Sequence, residues 1–275
     1  MTRWLSAILR MFLLVLTAAW AVVPSAARAA AGDETPGTVT PLAAPFQGMT
    51  AGVLFAKLVE QNQLRESRLL RYQAVNTYKI ANQQGRVYAE AVARVNYRAP
   101  RQKTLVIDSV AGSRLICDLV LKRLVESESE TASGRAHHDS SIQPANYRFN
   151  LLGEQQLGPY RCFVVDALPR RRDKYLFEGR IWIDTEDFAI VRIAGQPAKS
   201  LSFWIKRADF VRRYQKMGDF WLPVSDETLV DVRFYGKRVL SIDRGDYAIN
   251  GSKAADSEAP EPSGEPSRSA ASSPH

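Results

Sequence analysis

The sequence predicts a mainly β (α+β) fold: an incomplete antiparallel β-barrel, or strongly curved sheet, with a helix packed across its concave face. Three observations predict it. From about residue 70 to residue 250, most segments alternate apolar and polar residues with the period of two that a half-buried strand requires. Turn chemistry separates these segments, at Gln83-Gln84-Gly85, Leu157-Gly158-Pro159, Thr185-Glu186-Asp187, Lys216–Asp219 and Gly236-Lys237. The two segments with helical spacing both come early in the chain.

The N-terminus reads as a targeting segment. Arg3 and Arg10 accompany an apolar run, Met11–Val23, which Pro24 ends. Small residues then accumulate to Ala31, and Ala27-Arg28-Ala29 and Ala29-Ala30-Ala31 both fit the small-x-small cleavage rule. The run of about 13 residues falls short of the ~20 that cross a bilayer as a helix. Residues 1–31 are therefore expected to be a cleavable signal peptide. No cysteine stands near the cleavage site, so no thioether-linked lipid is expected. Residues 32–49, rich in Gly, Thr, Pro and Ala, read as a linker. Residues 251–275 are Ser, Pro, Glu and Ala with few large apolar side chains, and read as a disordered tail. The intervening residues 50–250 suffice for one domain.

Within that domain, Thr50 caps a helix expected over Ala51–Arg68, with Val53, Leu54, Leu58, Val59 and Leu64 at helical spacing. A second helix is expected from Ser113 to about Thr131, with Leu115, Ile116, Leu119, Val120, Leu124 and Val125 as its stripe. Strands are expected around Tyr72–Ile80, Val87–Tyr97, Leu105–Ile107, Asn146–Leu152, Tyr160–Leu168, Ile181–Asp184, Phe188–Ile193, Phe203–Tyr214, Phe220–Phe234 and Arg238–Ile249, in meander order. Gly236-Lys237 fits a two-residue hairpin loop with glycine first.

The formal net charge is +8, and the tail is slightly acidic, so the domain carries the basic excess. In an exported protein that excess favours anionic lipid or a membrane surface over nucleic acid as the counterpart. Chemistry for catalysis is sparse. The histidines are His137, His138 and His275, and adjacent histidines in a Ser/Gly-rich loop lack the spacing of a metal site. Asp184, Glu186 and Asp187 fall on a hairpin loop, where acidic residues form turns. No phosphate loop, nucleophile elbow or Cys-x-x-Cys occurs. The reading is a non-enzyme, without cofactor or metal, and monomeric. Cys117 and Cys162 leave a disulfide open.

Two groups of residues are candidates for binding. Ala89, Ala91 and Ala93 recur on one face of a strand, leaving volume either for an apolar ligand or for a closely packed helix. Trp182 and Trp204 on neighbouring strands fit either the core or the lining of such a cavity. The basic loop Arg170-Arg171-Arg172-Asp173-Lys174 offers Arg170, Arg171, Arg172 and Lys174 to an anionic surface, with Lys206-Arg207 and Arg212-Arg213 as possible extensions of the patch.

Gly179-Arg180-Ile181-Trp182-Ile183-Asp184, Ala189–Ile193, and Tyr214 with Gly218 and Phe220-Trp221-Leu222-Pro223 resemble the outer-membrane lipoprotein-sorting proteins, the LolA-like family. The resemblance covers about residues 50–250. It implies an incomplete antiparallel barrel closed by a helical lid, holding acyl chains in an apolar cavity. The implied role is a periplasmic carrier or chaperone for lipid acyl chains or lipoproteins, delivering to a membrane surface or membrane-protein acceptor. Regulators of envelope stress share the fold, so an envelope sensor or interaction module is the alternative.

Overall fold

The structure, a computed structural model, describes residues 38–100, 102–114, 117, 141–173, 175–200, 203 and 205–253. After a 3-10 turn at Ala44–Phe46 comes helix α1, Ala51–Arg68. Thr50 is extended, and its hydroxyl accepts the Val53 N–H, one of the four donors that a helix start leaves unpaired. Ten long strands follow: β1 (Arg71–Asn82), β2 (Val87–Arg98), β3 (Gln102–Gly112), β4 (Tyr147–Leu157), β5 (Tyr160–Pro169), β6 (Phe177–Asp184), β7 (Ile190–Pro197), β8 (Ile205–Met217), β9 (Phe220–Val232) and β10 (Gly236–Ile249). A short β11, Ser252–Lys253, pairs with β10.

All pairings are antiparallel, in the order β3-β2-β1-β10-β9-β8-β7-β6-β5-β4. The expected meander is thus corrected at one point. The chain does not run from β3 to a neighbouring β4; instead β1 pairs with β10 over almost its whole length. The two ends of the path, β3 and β4, do not pair among the described residues, so the sheet is open and not a closed barrel.

The face of the sheet against which α1 packs is called inner below. α1 buries Leu54, Phe55, Leu58 and Arg65, whereas Val53, Val59 and Leu64 of the expected stripe are exposed. Positions 54, 58 and 65 keep helical spacing, and Phe55 widens the stripe on one side; the three exposed residues sit off it. Phe55 stacks on Phe149, centroids 3.6 Å apart, and the ring series continues through Tyr147 and Phe177 to Phe210. Where Gly179 faces Gly195 beneath this layer, an added Cβ on Gly179 would stand 2.1 Å from the Ala194 carbonyl oxygen, so the strands pass too closely for a side chain.

Residues 38–49, read as linker, run along β4 and β5. Thr40 bridges to Glu154, the Ala43 N–H donates to the Glu154 carboxylate at 3.0 Å, and Phe46 meets Phe163 edge-on. The β9–β10 loop also departs from expectation. Gly236 (φ +71°) pairs with Val232, so the loop is Arg233-Phe234-Tyr235 and glycine closes it rather than opening it. Of the expected second helix only Ser113, Arg114 and Cys117 are described, the Cys117 N–H donating to the Ser113 carbonyl. The remainder of that helix, the leader and residues 254–275 lie outside the described residues. No described helix is long and apolar enough to cross a membrane.

Candidate functional site

The register carries the inner face across the sheet. Phe210 on β8 stands opposite Thr228, Thr228 opposite Leu240, Leu240 opposite Ile80, and Ile80 opposite Ala89. The alanine series therefore belongs to the same face as the aromatic layer under α1, several strands away. Ala89, Ala91 and Ala93 are all buried, opposite Ile80, Tyr78 and Asn76 respectively. The rings of Tyr72 and Tyr97 stack at one end of this region, with Leu69, Val95 and Ile249 beside them.

Between the aromatic layer and the alanines lies a buried polar band that the sequence reading missed. Arg212 on β8 pairs with Asp226 on β9, and Arg244 on β10 pairs with the other Asp226 oxygen; all three side chains are almost fully enclosed. Asn76 on β1 stands opposite both Arg244 and Ala93, so the band ends at the alanine strand. Burial alone pushes the Asp226 carboxyl up, but the Arg212 and Arg244 guanidiniums outweigh it and hold it below the usual carboxylate range. Asn76 donates to the Tyr78 hydroxyl at 3.0 Å. Its Oδ1, and Nη2 of Arg212, have no hydrogen-bond partner among the described residues. Buried polar atoms are normally satisfied, so these two are exceptions on the inner face. The sequence did carry a signal: Asn76, Arg212 and Asp226 each occupy an inward position in an otherwise apolar alternation.

The predicted site residues are dispersed. Trp182 stands opposite Val164 and Arg192, on the other face of β6 from Ile181 and Ile183. Its ring lies 5.0 Å beneath the Arg192 guanidinium and its Nε1 donates to Gln155 at 2.8 Å, so it shares no surface with the alanines. Trp204 and Lys174 lie outside the described residues, as do His137 and His138. In the basic loop, Arg170 Nε donates to the carbonyls of Pro144 and Tyr147, and Arg171 donates to Asn146 Oδ1 at 2.7 Å. These two guanidiniums hold the segment that enters β4, while their side chains and that of Arg172 remain on the surface. Arg212, a possible extension of this patch, is buried instead, because its strand parity turns it inward.

The motif-bearing loop between β6 and β7 is an anchoring point. Asp184 Oδ2 accepts the Glu186 and Asp187 N–H groups, forming the turn, and burial pushes its carboxyl up. Asp187 then gathers neighbours: Trp221 Nε1 at 2.6 Å and Lys216 Nζ at 2.7 Å reach its carboxylate, and Arg65 of α1 donates to its carbonyl. Burial works against the Asp187 anion, but these partners together hold its pKa down. The strand ending in Trp-Ile-Asp and the later Trp-Leu-Pro strand are thus joined through one carboxylate, which also fixes the end of α1. A small cavity of about 10 Å³ lies against Arg65 and Trp221.

Cys117 and Cys162 are buried and form no disulfide. Burial pushes the Cys162 thiol up to about 12. Among the described residues no three His, Cys, Asp or Glu side chains converge as metal ligands.

No family model and no curated protein matches the chain. Among solved structures it is similar to an outer membrane lipoprotein-sorting protein domain from Vibrio parahaemolyticus, at 16% identity over 72% of this chain and 93% of that one, TM-score 0.43. It is similar to the LolA superfamily protein NE2245 from Nitrosomonas europaea at 12% identity, covering 76% and 94%, TM-score 0.38. MucB in complex with MucA(peri) matches at 10% identity, covering 74% and 96%, TM-score 0.25. These scores are low, and the strand order and packing described above carry the fold assignment.

Proposed function

We propose that this chain is a non-enzymatic carrier or chaperone of the periplasm that binds an amphiphile, the acyl part of a lipid or lipoprotein, on the inner face of β1, β2 and β10. One observation carries the reading. Three alanines form a small-residue surface that borders a buried polar band with two orphan hydrogen-bonding atoms, Asn76 Oδ1 and Arg212 Nη2. An acyl chain over the alanines gains roughly 0.8 kcal/mol for each CH₂ removed from water. A polar head group beside it would meet an amide oxygen and a guanidinium. The described side chains of α1 pack on the other half of the face, away from the alanines. Native mass spectrometry of protein recovered from membrane-free periplasm should detect bound lipid, and the delipidated protein should take up a fluorescent fatty acid. Absence of both would overturn the reading.

A second reading, an envelope sensor or interaction module using the fold as scaffold, is favoured by the ring layer packed beneath α1 and by the small cavity, about 10 Å³, against Arg65 and Trp221. It is distinguished by a pulldown that depends on Arg170–Arg172 and is indifferent to lipid.

A further inference from the structure

In an antiparallel path, alternate turns fall on the same rim. The β1–β2 turn, the β5–β6 loop with Arg170–Arg172, the β7–β8 connection and the β9–β10 hairpin therefore share one rim of the sheet. Two phenylalanines are conspicuous there. Phe234, at the hairpin tip, is 85% exposed, and Phe203, just before β8, is 70% exposed. The two lie at adjoining strand ends, since Ile205 pairs with Val232, and the Arg233 guanidinium sits 4.7 Å over the Phe203 ring. Phe234 also has φ +68°, a left-handed conformation that glycine or asparagine would hold with less strain. Its exposure sets it apart from the buried aromatics of the sheet.

The surroundings are cationic. Arg86 and Arg238 flank the Tyr88 ring at 5.8 and 5.2 Å, and Arg172, Lys199 and Lys237 are exposed on the same rim. The acidic groups described there are Asp173, Glu178, Asp209 and Asp231, of which Asp173 and Asp209 pair with Arg171 and Arg207. Exposed aromatics on loop tips among cations match what an anionic bilayer offers: a polar, negatively charged surface over an apolar layer. A protein partner would need one continuous complementary surface, whereas a bilayer accepts separate insertions.

We infer that this rim docks on membranes carrying anionic head groups, with Phe234 and Phe203 entering the interfacial layer and the basic residues meeting lipid phosphates. This deepens the carrier reading, on which it rests for its purpose, by naming where cargo would be delivered. Docking is nevertheless measured separately from acyl uptake. Protein recovered from the periplasm should cosediment with phosphatidylglycerol-containing vesicles, at least tenfold more weakly with pure phosphatidylcholine, and less as salt rises. Phe234→Gly should lower partitioning about tenfold, since it removes one interfacial aromatic side chain. The same variant should raise Tm by relieving the backbone, and should leave fatty-acid uptake unchanged. The double variant with Phe203→Ser should abolish sedimentation. No vesicle binding, equal binding to both lipids, or binding indifferent to Phe234→Gly would each overturn the inference. Loss of uptake with docking intact would instead count against the carrier reading alone.

Discussion

Over β4–β8 the inner face is filled by large rings: Phe55 from α1 lies on Phe149, and Tyr147, Phe177 and Phe210 continue the layer. Over β1 and β2 the same face is made of Ala89, Ala91 and Ala93 with Tyr78 and Ile80 opposite, and its border with the first half is a buried ion group, Arg212, Asp226 and Arg244. Both halves obey one alternation and one continuous register. What differs is side-chain volume and polarity, and the carrier reading proposed above rests on that difference.

The sharpest way to break the comparison is at its seam. Asp226→Leu leaves two buried guanidiniums facing each other without their carboxylate, and should cost about 3–5 kcal/mol in denaturant unfolding. A loss below about 1 kcal/mol would mean that the seam is hydrated and the halves are not divided by it. Next comes the packed half. Phe55→Ala should cost about 3 kcal/mol, as expected for a ring deleted from a close-packed layer. Enlarging the other half should behave differently: Ala91→Leu should cost less than about 1 kcal/mol, whereas a filled site would lose about 1–3 kcal/mol to overpacking.

Trp221→Phe removes the bond to Asp187 and part of a buried ring that packs on Tyr160, and should cost at least about 1.5 kcal/mol, the worth of a hydrogen bond to a charged group. A further test concerns the pH dependence set by Cys162. Its native pKa is pushed up to about 12 from 9.0, so its contribution is intact below pH 9 and is lost as pH rises toward 12, where the unfolded thiol ionises first. The stability difference between the protein and Cys162→Ala should therefore drift against the native cysteine across that window. A flat difference would show that the thiol is not buried in the folded state.

Much of this architecture is legible in the sequence because it is local. The strand alternations, the Thr50 cap and the limits of α1 at Ala51 and Arg68 follow from residue spacing within a few turns. The pairing of β1 with β10 does not, since alternation fixes which face a strand buries but not which strand lies beside it. The site was half legible. The alanines announce themselves by size, but their polar border joins β8, β9 and β10, consecutive in the chain, to Asn76 on the distant β1. Each polar residue alone looks like a tolerated interruption. Trp182 shows the opposite limit: its parity could be counted, yet only the register with Val164 and Arg192 reveals that it faces away from the alanines.

The central claim is that the alanine half holds an acyl chain beside the polar band. Its most direct test is titration of a fluorescent fatty acid into the delipidated protein and into Ala91→Leu, with unfolding measured in parallel. Saturable uptake by the protein, weakened at least tenfold in a variant of near-unchanged stability, is the predicted result. No uptake, or uptake unaffected by filling the space at Ala91, would contradict it.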